Sequence, residues 1–199
     1  ELATSNYGNA TAKSIEGFKT SANSNHGYYI GRYEAGKTGD NGFVVCKSGQ
    51  EVWSYITQNK ASEVSRNMYG SESKVTSDLI NSYAWDTAIL FIQKCGTESN
   101  SLTYSRTDGL SSTSTSEPQT TGTNILNATK KVDKQCNIFD MAGNCWEWTT
   151  ETSSDPSRPC VLRGGGYFRR HDYTSDRNYG GTDTSYADSV FSFRPLLYL

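Results

Sequence analysis

Asn137-Ile-Phe-Asp-Met-Ala-Gly-Asn-Cys-Trp-Glu-Trp-Thr-Thr150 is the stretch that decides the fold. Gly143-Asn144 reads as a turn, because glycine and asparagine tolerate the backbone angles that tight turns need. After the turn, Trp146 and Trp148 alternate with Glu147. In a strand, that alternation places both indoles on one side and the carboxylate on the other. The indoles are expected in the core. Farther along, Cys160-Val-Leu-Arg163 and Phe193-Arg-Pro-Leu-Leu-Tyr-Leu199 read as short buried strands. Arg163 and Arg194 close or interrupt apolar runs, and each is expected to be a buried guanidinium bridging loop carbonyls.

The stretch between these strands has a different composition. From Tyr167 to Ser192 it holds aromatics, arginines, a histidine, aspartates and small hydroxyls, and Ala187 and Val190 are its only aliphatics. Such a segment cannot build a core. Tyr and Arg supply large contact area, while Ser, Gly, Asn and Asp supply adaptable polar contacts. The expected binding surface is Phe168, Arg169, Arg170, His171, Asp172, Tyr173, Asn178, Tyr179, Tyr186, Asp188 and Val190. After Glu151 the chain contains no Lys, Glu, Gln, Met or Trp. An AAC codon randomised at both adenines can never encode those five types, which is the trace that adenine-directed mutagenesis by a retroelement leaves. A short Gly/Ser/Thr/Tyr-rich loop can also lack them by chance.

Upstream, residues 1–24 are rich in Ser, Asn, Thr and Gly and read as an N-terminal arm. Residues 25–199 then form one domain. Gly27-Tyr-Tyr-Ile-Gly-Arg-Tyr-Glu34 alternates as a strand does, and Phe43-Val-Val-Cys46 is a second short apolar run. Trp53 through Tyr69 looks helical in part. The spacing of Ile80, Tyr83, Ala84, Ala88, Phe91 and Ile92 predicts a helix with one apolar face, started by Thr76 or Ser77 and closed at Cys95-Gly96. Residues 96–131 are a long Ser/Thr/Gly-rich insertion, a kind of loop that is usually functional or mobile.

With 199 residues the chain can bury a good core. Hydrophobic residues make up only 34%, but aromatics reach 12%, with 13 Tyr, so the composition is that of a folded protein with a polar surface. The 18 Gly against 4 Pro agree with many tight turns. A net charge of −2 gives no general attraction to nucleic acid or anionic membranes. No run approaches the roughly 20 apolar residues of a membrane span. No signal peptide opens the chain, and Glu1 in place of Met points to a trimmed or mature fragment. The five cysteines form no Cys-x-x-Cys pair, which argues against structural zinc and for free buried thiols over a disulfide framework.

Taken in order, Gly143-Asn-Cys-Trp-Glu-Trp148, Arg163-Gly-Gly-Gly166 and Ser192-Phe-Arg194 resemble the formylglycine-generating-enzyme (sulfatase-modifying factor) family, and Tyr28-Tyr-Ile-Gly-Arg-Tyr-Glu34 resembles its first strand. The hallmarks of that family are a Gly-Asn-x-x-Glu-Trp turn, then Arg-Gly-Gly-Ser, then Gly-Phe-Arg. The resemblance covers residues 27–199. It implies a loop-rich α+β domain with few helices, a large variant of the C-type lectin fold. Catalytic members oxidise a substrate cysteine to formylglycine with two copper-binding cysteines. Those positions carry over to Arg169 and Thr174, which cannot supply the thiolates that copper(I) needs, so no copper and no enzyme activity are expected.

The chain also resembles the variable proteins of diversity-generating retroelements, whose variable segment lies between an Arg-Gly-Gly and a Phe-Arg motif, here about 163–194. The Ser192-Phe-Arg-Pro-Leu-Leu-Tyr-Leu199 ending, with Tyr83-Ala-Trp-Asp86, looks like the phage and prophage branch. The partner implied is a protein or glycan on a cell surface, and the location a phage tail or a bacterial surface. Regions outside the chain leave room for an oligomer. The family often holds a calcium ion at the turn, here implied at Asp140, the carbonyls of Gly143 and Cys145, and Glu147. Hard oxygen ligands suit that cation, although Glu147 bonded to the turn without an ion is the alternative.

Overall fold

The computed structural model describes residues 13–39, 42–71, 73–96, 115–123, 125–126, 131–168, 177–178 and 183–199. In chain order, the first half carries α1 (Ile15–Ser24), β1 (Tyr29–Ile30), β2 (Gly36–Thr38), β3 (Phe43–Val45), α2 (Gln58–Arg66), β4 (Thr76–Leu79) and α3 (Ser82–Cys95). The second half carries β5 (Ile125–Leu126), β6 (Lys131–Val132), β7 (Lys134–Gln135), β8 (Ile138–Phe139), β9 (Trp146–Thr152), β10 (Cys160–Arg163), β11 (Phe191–Phe193) and β12 (Pro195–Tyr198). This is a mixed α/β domain, rich in loops, with small sheets.

Strand β9 is the axis of the molecule. It pairs antiparallel with β10 and parallel with β11, so Trp148 faces Leu162 on one side and Phe193 on the other. The expected alternation holds. Trp146 and Trp148 join Leu162, Phe191 and Phe193 in one apolar cluster with Ile56, Ala61 and Leu79. Glu147 points the other way and is fully buried. Gln58, the first residue of α2, donates through Nε2 to the Thr149 carbonyl at 2.6 Å and so clamps that helix onto β9.

A second sheet places β12 between β1 and β4, with all pairs antiparallel. Thr76–Leu79 is therefore a strand and not the start of a helix. The pairing of Thr76 with Tyr198 and of Leu79 with Pro195 overrides any local preference to cap. The cap of α3 is Asn81, whose side chain accepts from the Ala84 N–H at 2.9 Å. Gly96 closes the helix as expected, its N–H bonding to the Ile92 carbonyl at 2.9 Å. The buried stripe of α3 is Ala84, Trp85, Ala88, Ile89 and Ile92. Tyr83 and Phe91 lie eight residues apart on the opposite side and are half exposed. Ile80 joins the sheets, since its N–H bonds to the Arg194 carbonyl at 3.1 Å and its own carbonyl accepts from the Thr150 N–H at 3.0 Å.

The segment 13–24 differs from the expected arm. Ser14 caps α1 by accepting from the Gly17 N–H at 2.9 Å. Phe18 is buried, with its ring edge-on to Tyr28 at 5.2 Å and to Tyr198 at 5.6 Å. One aromatic in a polar segment is enough to dock a helix when two rings wait to receive it. Phe18→Ala should cost about 3–5 kcal/mol, the range for truncating a buried aromatic. Urea unfolding of the variant checks this, and a midpoint unchanged from wild type would return α1 to the status of a loose arm.

Candidate functional site

Two ionic clusters frame the segment 163–194, one at each end. At the C-terminal end, Arg194 sits between β11 and β12 and is fully buried. Its Nε donates to both Glu147 oxygens at 3.2 and 3.1 Å, and Nη2 donates to Oε1 at 2.7 Å. Nη1 donates to the Gly31 carbonyl at 2.6 Å, and Nη2 also donates to the Phe139 carbonyl at 2.9 Å. Arg194 thus bridges loop carbonyls as expected, and in addition carries a buried carboxylate. Burial opposes its charge, yet Glu147, Glu34 and Asp140 outweigh that and hold it above the usual guanidinium range.

The turn ahead of β9 is built into this cluster. Asn144 adopts φ +59°, a left-handed conformation that asparagine tolerates, and its amide donates to a Glu34 oxygen. The Cys145 N–H donates to the other Glu34 oxygen at 3.0 Å. Asp140 Oδ2 accepts from the Gly122 N–H at 2.6 Å, while Oδ1 is buried without a partner. Burial raises Glu34 well above the usual carboxylate range, and Asp140 and Glu147 push it further.

The calcium expectation meets this geometry. Glu147 faces Arg194 with both oxygens, so of the side-chain donors only Asp140 Oδ1 is uncommitted. Calcium takes six to eight oxygens. As folded, the set Asp140, Gly143, Cys145 and Glu147 does not fit that ion, and Arg194 stands as the cation of the cluster. Among the described residues, no three His, Cys, Asp or Glu side chains converge as metal ligands.

At the N-terminal end the arrangement is a ring. Arg163 is buried and pairs with Asp86 of α3 and with Glu151 of β9, the latter at 3.4 Å. Arg177 reaches the same two carboxylates, at 2.5 Å each. Arg163 therefore bridges carboxylates and not the expected loop carbonyls. Its charge is next to acids on both neighbouring elements, and its guanidinium lies 5.8 Å over the Trp85 ring. Gly166 stands where the family motif has serine. A Cβ there would lie 2.9 Å from Trp146 Cδ1, so the indole occupies that space.

Of the expected surface residues, Phe168 and Tyr186 are exposed, at 43% and 47%. The Phe168 ring is edge-on to Tyr167 at 5.6 Å, and the Tyr167 hydroxyl shares a 3.1 Å hydrogen bond with Ser189. The Tyr186 hydroxyl donates to Asp188 at 3.3 Å, and the Asp188 carbonyl accepts from the Tyr55 N–H at 3.0 Å. Val190 is packed against the apolar cluster of β9, so it belongs to the base and not to the face. Asn178 exchanges two 3.0 Å backbone bonds with Leu162, which anchors it beside β10. Arg169, Arg170, His171, Asp172, Tyr173 and Tyr179 lie outside the described residues, as does Thr174. Arg177 escaped the sequence reading because its partners lie 91 and 26 positions away.

All five cysteines are free thiols. Compared with known proteins, residues 43–196 match the model of the sulfatase-modifying factor enzyme 1-like domain. No curated protein matches, and no solved structure matches.

The buried acids make stability depend on pH. Burial, followed by the neighbouring Asp133, pushes the Asp140 carboxyl up to about 8. An unfolded Asp titrates near ~3.9. The folded state holds the proton more tightly, so this contribution is full below ~4 and is lost as pH rises through the folded value. Asp140→Asn keeps an acceptor for Gly122 and removes the titration. In EDTA, the wild-type melting midpoint should fall between pH 5 and pH 8.5 more than the variant's does. Equal slopes would contradict this account of Asp140.

Proposed function

The chain belongs to the sulfatase-modifying factor enzyme 1-like family, and within it we propose a ligand-binding member and not an oxidase. Its fold is the large C-type-lectin-like variant of that family. Its binding surface is the segment 163–194, diversified by a retroelement, and the setting is phage tail-tip recognition of a host or a bacterial surface adhesin. The partner is a protein or glycan on a cell surface.

The observation that carries this is a contrast along one stretch of chain. Strands β10 and β11 are buried at every position, while the described residues between them include exposed Phe168 and Tyr186. Exposed aromatics on a segment with two aliphatics serve recognition better than packing. Rigid strands flanking a loop that carries the contacts are a common way to separate folding from binding.

The oxidase alternative needs thiolates. Arg169 and Thr174 occupy the positions of the copper-binding cysteines, and no cysteine follows Cys160. Two of the remaining thiols are poor substitutes. Burial pushes Cys145 well above the ordinary thiol range and Cys160 up to about 12. Thiols held protonated are weak nucleophiles at neutral pH.

Two measurements test the proposal. Sequencing around the gene should find a near-copy of the DNA for residues 167–192, differing at adenines only, beside a reverse transcriptase gene. A gene neighbourhood without such a copy counts against diversification. Incubation with copper and a sulfatase-type cysteine peptide should leave the peptide mass unchanged. Formylglycine in that peptide would establish the oxidase and overturn the proposal.

A further inference from the structure

A cleft of about 630 Å³ opens beside the variable segment. That is the size of a small-ligand site. Three separate parts of the chain form it: the loop between β3 and α2, residues 116–120, and the two edges of the variable segment at Tyr167 and Ser189. Its chemistry is one-sided. Glu51 and Glu117 line it, and among the described residues no Lys, Arg or His does. Both carboxylates are on exposed residues, and neither has an ion-pair partner among the described residues. Two negative charges in one concavity raise the local concentration of cations.

Tyr55 gives the cleft a second feature. It is 71% exposed and adopts φ +53°, which is uncommon for a bulky residue. The backbone is held there by the bond from the Tyr55 N–H to the Asp188 carbonyl. The ring is thus presented at the cleft and coupled to the variable segment's own residue. Tyr167, hydrogen-bonded to Ser189, lines the cleft as a second ring.

We infer that this cleft receives an arginine or lysine side chain of a protein partner. Carboxylates meet a guanidinium with charge-assisted, often bidentate, hydrogen bonds. A tyrosine face attracts the same cation through its quadrupole. Gln119 and Ser189 offer oxygens for the remaining donors. A neutral glycan would leave both charges uncompensated, and an anionic ligand would be repelled. The position deepens the binding proposal, on which it rests only for the partner being a protein. The variable face supplies specificity, and Glu51, Glu117 and Tyr55, which lie outside 163–194, supply an anchor beside it.

The probe is the peptide Ac-Gly-Ser-Arg-Ser-Gly-NH2, titrated by NMR into the intact chain at low salt. Binding in the millimolar range is expected, weakening as salt screens the exposed carboxylates. The double variant Glu51→Gln, Glu117→Gln should lose about tenfold or more in affinity with its melting midpoint unchanged. A peptide with citrulline in place of arginine, and maltotriose, should not bind. The inference is overturned if the double variant binds the arginine peptide as before. It is equally overturned if the citrulline peptide or the saccharide binds as well, or if no shift appears up to roughly 20 mM peptide. Because both substitutions lie outside 163–194, failure here leaves the variable face standing, and failure of that face leaves this titration unaffected.

Discussion

The fully buried ion pair between Arg194 and Glu147 is the constraint on which the rest of the structure depends. Glu147 belongs to β9, and Arg194 lies between β11 and β12. Their contact holds the central strand to the C-terminal strands at the point where the two sheets meet. The same guanidinium takes the carbonyls of Gly31 and Phe139, which closes two loops over the pair. Burying both charges is costly, and only this complete set of acceptors offsets it. Removing one partner leaves the other uncompensated, at about 3–5 kcal/mol by comparison with other buried pairs. Folding therefore selects the one register in which Ser192 stands beside Glu147.

The second cluster completes the frame by tying the start of the segment to a helix. Arg163 and Arg177 share Asp86 and Glu151, so the chain just after β10 and the chain at 177 are fixed to the same two acids. Asn178 repeats the restraint through backbone bonds to Leu162. At the far edge, the Val190 carbonyl accepts from the Trp146 N–H at 2.8 Å. Among the described residues, the segment is thus tied to the domain by backbone bonds, by a charged ring and by the packing of Val190 on the β9 cluster.

The motif around the turn was legible because its signals are local. A Gly-Asn pair, two tryptophans in alternation and an apolar strand each act over a few residues, and β9 and β10 lie where they indicate, while the last apolar run, read as one strand from Phe193, divides at Arg194 into β11 and β12. The body of α3 was legible from its spacing, but its start was not. Thr76–Leu79 becomes a strand only because the C-terminus, more than a hundred residues later, pairs with it. Docking of α1 turned on the single residue Phe18 and on rings at 28 and 198. At the site, Phe168 and Tyr186, named from composition, are exposed, whereas the exposed Tyr55 had no such signal. The roles of Asp86, Glu151 and Arg177 could not be read, since an ion-pair ring of residues so far apart has no sequence signature. The cleft is illegible for the same reason, being shared by three distant segments.

The central claim is that the frame folds independently of what the segment between its clamps displays. The most direct measurement is the melting midpoint of a variant with Phe168, Arg170, Tyr173 and Tyr179 all replaced by Ser. The account predicts one cooperative transition within about 2 °C of wild type, the small change expected where side chains do not hold the fold. A fall of roughly 10 °C or more, or loss of the cooperative transition, would show that these side chains hold the fold and would contradict the account.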